Sequence, residues 1–477
     1  MRLRPTRFLS LVVLTFIATF AFAQGLPTAT LRGRVVASDG SVLPGVTVSV
    51  RSPNLQGTRT TVTSETGEYI LPLLPPGDYT ATFELSGMTT ATRRVELSAA
   101  RADVIEVTLA PAAVSEAITV TAETPLTAAV ESTQVSTNFK QEFISNLPTL
   151  RTISQVALLA PGVNPNGPGG GVIISGAMSF DSLYLINGAV VNENLRGQPH
   201  DLFIEDAIQE TTVLTGGVSA EYGHFTGGVV SSITKSGGNE FDGSFRANLT
   251  NESWNAKTPF TEEQEDDINT VYEGTLGGPI LRDRLWFFGA GRLASSEDIR
   301  QTQPGLARAG DQDASGNPLA VGSQITPITY PHTNEETRLE GKLTGSITNR
   351  HTLIASYFDI AETETNQTGQ VIMDLDSLVA ERRTPNTFLA LNYNGVITPQ
   401  FFAEAQYSKK DFAFLGSGSP YHDLIKGTLI TDRARGTRYW SPTFRSTDEG
   451  EQRDIEVWNV KASYFASTRR LGSHEVR

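Results

Sequence analysis

The chain has 477 residues, 52 acidic against 38 basic side chains, a formal net charge of −14 and no cysteine. That balance argues against nucleic acid as a partner, since neutralising phosphates needs a basic surface. The missing cysteines exclude a disulfide framework, an acylated lipoprotein cysteine and a thiolate metal site, and the length allows roughly three domains.

Arg2, Arg4 and Arg7 precede an apolar run over 8–22, and Ala21-Phe22-Ala23 puts small residues at the cleavage positions. Residues 1–23 read as a secretory signal peptide, because the run falls short of the roughly 20 residues of a spanning helix. No other segment is apolar enough for such a helix. Any further span is expected to be β, the other structure that satisfies its backbone inside lipid.

From 24 to 111 the pattern predicts short strands at 31–36, 46–51, 58–63, 68–71, 78–85, 92–97 and 104–109. Ser38-Asp39-Gly40, Pro44-Gly45, Glu65-Thr66-Gly67 and Pro75-Pro76-Gly77 are the turn signals between them, and a small antiparallel sandwich follows. In a linker over 112–123, Ile118-Thr119-Val120-Thr121-Ala122 is β-prone and, taken alone, one more strand. Over 124–238 glycine and asparagine are frequent and apolar residues no longer alternate strictly.

Strict alternation returns over 239–477. Phe241, Gly243, Phe245, Ala247 and Leu249 alternate with Asp242, Ser244, Arg246, Asn248 and Thr250. Leu339, Gly341, Leu343, Gly345 and Ile347 alternate with Arg338, Glu340, Lys342, Thr344 and Ser346, and the pattern recurs around Leu389 and Trp458. Successive side chains leave a strand on opposite faces, so one face suits lipid and the other water. Short connections at 281–284, 348–350, 398–400 and 469–473 separate long polar ones at 252–268, 298–334, 363–384 and 416–453. That rhythm points to an outer-membrane barrel rather than a soluble antiparallel sheet. Tyr272, Trp286, Tyr357, Tyr393, Tyr407 and Trp458 are candidates for its interfacial girdle.

About eight strands and the start of a ninth at 474–477 are expected. An eight-stranded barrel is filled by its own side chains, whereas about 22 strands enclose a plugged lumen, so the sequence reads as a carboxy-terminally truncated part of a longer protein whose wall is an open, curled sheet.

Catalytic chemistry finds little support. The histidines at 200, 224, 332, 351, 422 and 474 show no metal-protease spacing, and no Gly-x-Ser-x-Gly elbow or P-loop occurs. The glycines of 167–171 lack a phosphate cradle's strand-to-helix setting, and Asp311, Asp313, Ser315 and Gly316 start a calcium-loop pattern that has Gly322 where its closing glutamate belongs. No enzyme activity, cofactor, catalytic residue or metal site is expected.

Three sets of motifs carry a resemblance. Gly33-Arg34-Val35, Pro44-Gly45-Val46-Thr47-Val48, Thr66-Gly67-Glu68-Tyr69 and Leu74-Pro75-Pro76-Gly77-Asp78-Tyr79 resemble the carboxypeptidase regulatory-like domain, a transthyretin-like accessory sandwich that implies no peptidase. Leu183-Tyr184-Leu185-Ile186-Asn187-Gly188, the stretch 211–216 with Ser219-Ala220-Glu221-Tyr222-Gly223, and Gly227-Gly228-Val229-Val230 with 233–238 resemble the plug of TonB-dependent receptors. Gly277-Gly278-Pro279-Ile280 and Asp283-Arg284-Leu285-Trp286-Phe287-Phe288-Gly289 are similar to the barrel of the Oar-like subgroup, which carries the same amino-terminal sandwich. Where the family often has Arg-Gly in the plug, this chain has Ser175-Gly176, which puts that arginine's pairing with the barrel in doubt.

The resemblance implies a mainly β chain: a transthyretin-like β-sandwich, a mixed α/β plug domain, and the first part of a large antiparallel transmembrane β-barrel. It implies that Ile118, Thr119, Val120, Thr121 and Ala122 form a TonB box, which adds as a strand to a TonB-type inner-membrane energy-coupling complex. The implied function is energy-coupled uptake of a large or scarce substrate across the outer membrane, with outer-membrane lipid around the barrel and the sandwich and plug on the periplasmic side or in the lumen. Siderophore, cobalamin, glycan and peptide are all open as substrates. Arg196 and His200 lie in a polar plug stretch that faces either the substrate or solvent. The alternative is a structural or adhesive surface protein that binds through its sandwich and external loops.

Overall fold

The computed structural model describes residues 28–99, 102–112, 134–146, 152–167, 171–200, 203–218, 222–257, 266–302, 305–307, 316–325, 327–367, 375–417, 423–424, 427–433, 437–440, 450–468 and 472–476. The expected signal peptide, the box residues Ile118 to Ala122, and Asp311, Asp313 and Ser315 lie outside them.

Seven strands build the sandwich: β1 (Ala29–Ala37), β2 (Thr47–Ser52), β3 (Leu55–Val62), β4 (Glu68–Leu74), β5 (Gly77–Glu84), β6 (Ala91–Leu97) and β7 (Ala102–Leu109). They form two sheets in the orders β4-β1-β7 and β3-β2-β5-β6. One pairing departs from the expected antiparallel arrangement: β7 crosses from the second sheet to the first and runs parallel to β1. Leu31, Val48, Val50, Tyr79, Phe83 and Leu97 are buried between the sheets, each contributing about 1.5–3 kcal/mol. The Tyr69 hydroxyl donates to the Ile105 carbonyl at 3.0 Å. It reaches that carbonyl over Gly33, where a Cβ would stand 1.8 Å from the same oxygen and 2.9 Å from the Tyr69 hydroxyl. The glycine of the Gly33-Arg34-Val35 motif is thus a steric requirement of the β1–β7 pairing.

The plug comprises β8 (Val135–Lys140), the one-turn helices α1 (Gln141–Ser145) and α2 (Ile153–Ala157), β9 (Val163–Asn164), β10 (Ile173–Ile174), β11 (Leu183–Ile186), β12 (Ala189–Val190), β13 (Ile208–Gly216) and β14 (Val229–Thr234). Its central sheet runs β12-β11-β14-β13-β8, with β11 parallel to β14. Asn187 and Gly188 both have positive φ, 49° and 77°, the conformation that lets a two-residue turn match strand twist. Phe139, Val156, Tyr184, Ile186 and Val213 form a core that continues into Phe358 and Phe388 of the barrel wall.

The wall begins with β15 (Asp242–Thr250), β16 (Asn269–Leu281) and β17 (Leu285–Gln301), followed by a small hairpin of β18 (Gly305–Leu306) and β19 (Gln324–Ile325). It continues with β20 (Thr329–Thr348), β21 (His351–Gln367), β22 (Val379–Arg383), β23 (Asn386–Thr398) and β24 (Phe401–Phe414). After the hairpin of β25 (Leu429–Asp432) and β26 (Thr437–Trp440) come β27 (Glu451–Gln452), β28 (Ile455–Thr468) and β29 (Gly472–Val476). Antiparallel neighbours run β15-β16-β17-β20-β21-β23-β24-β28-β29, so the sheet is open among the described residues.

Its burial is inside out. Arg338, Glu340, Lys342 and Thr344 of β20 are buried, while Leu339 and Leu343 are exposed. The apolar face carries Phe245, Leu276, Leu353, Leu391 and Val460, all exposed. Tyr357 and Trp458 share it, with the Tyr407 ring 4.3 Å from Trp458. Trp286 does not join this girdle: it is fully buried, and its Nε1 donates to Asn239 Oδ1 at 2.8 Å.

Parts of the expected long loops are strand. β17 and β20 stay paired out to Gln301 and Thr329, and β21 runs to Gln367 against β22. Beyond the lipid both faces of a ribbon meet water, so apolar alternation stops while the backbone ladder persists. Polar cross-strand contacts take over there, with Thr333 and Thr365 Oγ1 atoms 2.6 Å apart and His332 Nδ1 2.8 Å from Asp298 Oδ1.

The candidate functional site: the plug against the barrel wall

The plug meets the wall in three zones. In the first, a 3-10 turn over Glu205–Ala207 points two carboxylates at barrel guanidiniums. Asp206 pairs with Arg246, and Glu205 with Arg292. Arg292 also lies 3.5 Å from Glu273 and 3.2 Å from Glu336. Arg338 donates to the Phe203 carbonyl at 2.8 Å and pairs with Glu336 at 2.5 Å. Burial acts to raise the Glu205 carboxyl, but its hydrogen bond with Glu273 and the charges of Arg292 and Arg338 hold it below the usual range.

In the second zone Asn187, wholly buried on its tight turn, accepts from the Thr234 N–H at 3.0 Å and donates to Thr234 Oγ1 at 3.0 Å. Lys342 reaches from the wall to donate to the Thr234 carbonyl at 2.8 Å. Ser356 lies 3.4 Å and Gln406 3.5 Å from groups of the same asparagine, and Gln406 bonds Asn392 and Asn459 along the wall.

The third zone holds the plug loop 191–200 at the end of the barrel opposite the short turns. Asn192 shapes the loop by donating to the carbonyls of Ser182 and Gly197, both at 2.8 Å. Lys410, with no exposed surface, donates to the carbonyls of Val191 at 2.7 Å and Pro199 at 3.1 Å. Glu193 accepts from the Arg196 N–H at 2.7 Å and pairs with Arg453 at 3.1 Å, while Arg453 also pairs with Glu451 at 2.7 Å.

Both described site candidates lie in this loop. Arg196 is exposed. His200, at φ 51°, stacks on Phe412 with ring centroids 4.1 Å apart. Burial first, then the positive charges of Lys410, Arg453 and Arg382, push its imidazole down to about 3, so it is neutral at ordinary pH. Ser175 bonds within the plug, its hydroxyl donating to the Thr215 carbonyl at 2.6 Å.

The matches to known families follow the same three-part order. Residues 30–110 match the carboxypeptidase regulatory-like domain, 128–230 the TonB-dependent receptor plug domain, and 233–334 an outer membrane beta barrel domain. The TonB-dependent transporter Oar of Myxococcus xanthus is 35% identical over 291 residues, which are 56% of this chain and 26% of that protein. The chain carries the domain set of a TonB-dependent outer-membrane receptor.

This receptor chain thus spans about a quarter of its curated relative's length. Among solved structures, the siderophore receptor PirA of Acinetobacter baumannii is 17% identical with a TM-score of 0.49, covering 70% of this chain and 46% of that one. The outer membrane transporter YddB of Escherichia coli is 15% identical with a TM-score of 0.49, covering 71% and 47%. Within the receptor, the residues that tie plug to wall were not singled out as a site by sequence. Arg338, Glu340 and Lys342 were legible as the water-facing side of a strand, but alternation does not say whether that side meets water or a plug. Glu193, Lys410 and Arg453 carried no motif.

Proposed function

We propose that this receptor takes up a large or scarce substrate across the outer membrane, with energy from a TonB-type inner-membrane complex. In this reading the sandwich occupies 24–111, a linker 112–123, the plug 124–238, and the wall starts at 239. The observation that carries the reading is the chemistry of the plug's seat. Beside the apolar contact with Phe358 and Phe388, ion pairs and hydrogen bonds tie the plug to the wall, as in Asp206–Arg246, Glu193–Arg453 and Lys342 on Thr234. Such contacts can be exchanged for water one at a time, so the seat suits a plug that moves, and local openings cost less than global unfolding.

The coupling partner engages Ile118, Thr119, Val120, Thr121 and Ala122 by strand addition, in which main-chain hydrogen bonds supply affinity and tolerate loose sequence. Arg196, exposed on the loop 191–200, is the substrate contact, and His200 positions that loop through its stack on Phe412. The test is deletion of 118–122 from the full-length protein. Uptake is lost and surface binding is kept; unchanged uptake defeats the coupling role.

A further inference from the structure

The sandwich touches both the wall and the plug. Towards the wall, Arg59 donates to the Asn349 carbonyl at 2.9 Å and to Thr352 Oγ1 at 3.1 Å. Beside it Ile70 and Leu73 share a buried apolar cluster with Phe402, flanked by Val396 and Phe465. Asn349 lies in a short turn between β20 and β21, so the sandwich sits at the short-turn end of the barrel. Towards the plug, the Ala99 N–H donates to Glu210 Oε1 at 3.1 Å and Gln209 donates to the Pro76 carbonyl at 3.0 Å. Lys140 completes this second seam, 2.7 Å from Glu96. A cavity of about 290 Å³ lies where the three parts meet, lined by Asn54 and Arg59 of the sandwich, Gln209 and Lys235 beside the plug sheet, and Lys342 and Thr352 of the wall.

The two seams differ in what parting them leaves behind. Along the plug seam the hydrogen-bond acceptors keep other partners. The Pro76 carbonyl keeps the Asn54 amide at 2.9 Å, and Glu210 keeps the Thr212 hydroxyl at 3.3 Å. Lys140 and Glu96 have side chains 41% and 56% exposed, so water takes over their pair, and such pairs contribute little. Along the wall seam, parting exposes Ile70, Leu73 and Phe402 to water and strips Arg59 of two acceptors.

We propose that the sandwich is a collar fixed to the barrel wall, and that the plug parts from it along the Glu96–Lys140 and Ala99–Glu210 seam whenever the plug moves. The link to transport rests on the uptake reading above; the division into a firm and a separable seam does not.

The cysteine-free chain makes the test clean. In the full-length protein, Glu96→Cys with Lys140→Cys bridges the plug seam, and Ile70→Cys with Phe402→Cys bridges the wall seam, each closed by a short bifunctional thiol reagent. If the second pair fails to assemble, Arg59→Cys with Thr352→Cys replaces it. Ser232→Cys, in a wholly buried position of β14, reports plug opening through its labelling in urea, read peptide by peptide. The plug-seam bridge shifts labelling to higher urea than in the unbridged protein, and the wall-seam bridge leaves it in place. The reverse order, or equal shifts, overturns the collar. In cells the plug-seam bridge abolishes uptake and the wall-seam bridge does not. Uptake through a closed plug-seam bridge, in a protein whose uptake needs 118–122, overturns the proposal's transport role. If deleting 118–122 changes nothing, the uptake reading falls and the urea order alone decides the collar.

Discussion

Replacing Glu193 by alanine isolates the grip of the wall on the outer end of the plug. The Glu193 side chain has no exposed surface and meets Arg453 at 3.1 Å, the Arg196 N–H at 2.7 Å and the Leu195 N–H at 3.2 Å. Hydrogen bonds to a charged group contribute about 1.5–3 kcal/mol each, but these are not additive. Arg453 keeps Glu451 at 2.7 Å, so its charge is not orphaned, and Leu195 and Arg196 are exposed residues. The loss therefore falls below the ~3–5 kcal/mol of a buried pair broken to leave a lone charge. A value of about 2–3 kcal/mol is expected, roughly a 30- to 150-fold increase in opening of the loop. Hydrogen exchange at the Val191 and Glu193 amides, which bond the carbonyls of Tyr184 and Gln198, reads this directly. The Val35 amide in the sandwich serves as the unaffected reference. A double-mutant cycle with Arg453→Ala should give a coupling of about 1.5–3 kcal/mol. Unchanged exchange, or additivity within about 0.5 kcal/mol, refutes the grip.

Three further outcomes are expected. His200 has a folded value of about 3 against 6.5 for the free side chain, so its contribution is complete above 6.5 and is lost as pH falls towards 3. At pH 5 the penalty reaches about 2 kcal/mol, and His200→Gln should flatten plug stability between pH 5 and 6.5 in urea titrations; an unchanged slope assigns the acid sensitivity elsewhere. Asn187→Ala leaves the buried Thr234 N–H without its side-chain acceptor, which costs about 1–3 kcal/mol, and places alanine at φ 49°, which costs about 1–2 more. Faster exchange in β14 with an intact sandwich checks it. Gly33→Ala drives a Cβ into the Ile105 carbonyl, so proteolysis should cut within the sandwich of this variant while the barrel stays resistant.

The wall was legible in sequence because lipid and lumen impose opposite chemistry on successive residues, as Leu343 beside Lys342 shows. The sandwich was legible through its turns, down to Gly33. Where strands leave the lipid the signal ended, and 298–301 and 329–334 read as loop although they are paired. The parallel β1–β7 pairing was hidden because local alternation is the same in either direction. Trp286 was misplaced for a related reason: an aromatic near a strand end reads as interfacial whichever face it takes. The plug's seat depended on long-range partners, such as Glu193 with Arg453 and Lys410 with Val191, that no local spacing encodes.

The central claim is that lipid solvates the outer face of the wall while the plug covers its inner face. Spin labels on single cysteines at Leu343 and Leu391, each beside a control at Lys342 or Asn392, test it in liposomes. The account predicts strong collision with oxygen dissolved in the acyl chains at Leu343 and Leu391, and shielding from both oxygen and a water-soluble quencher at Lys342 and Asn392. Quenching from water at Leu343 and Leu391 would contradict it.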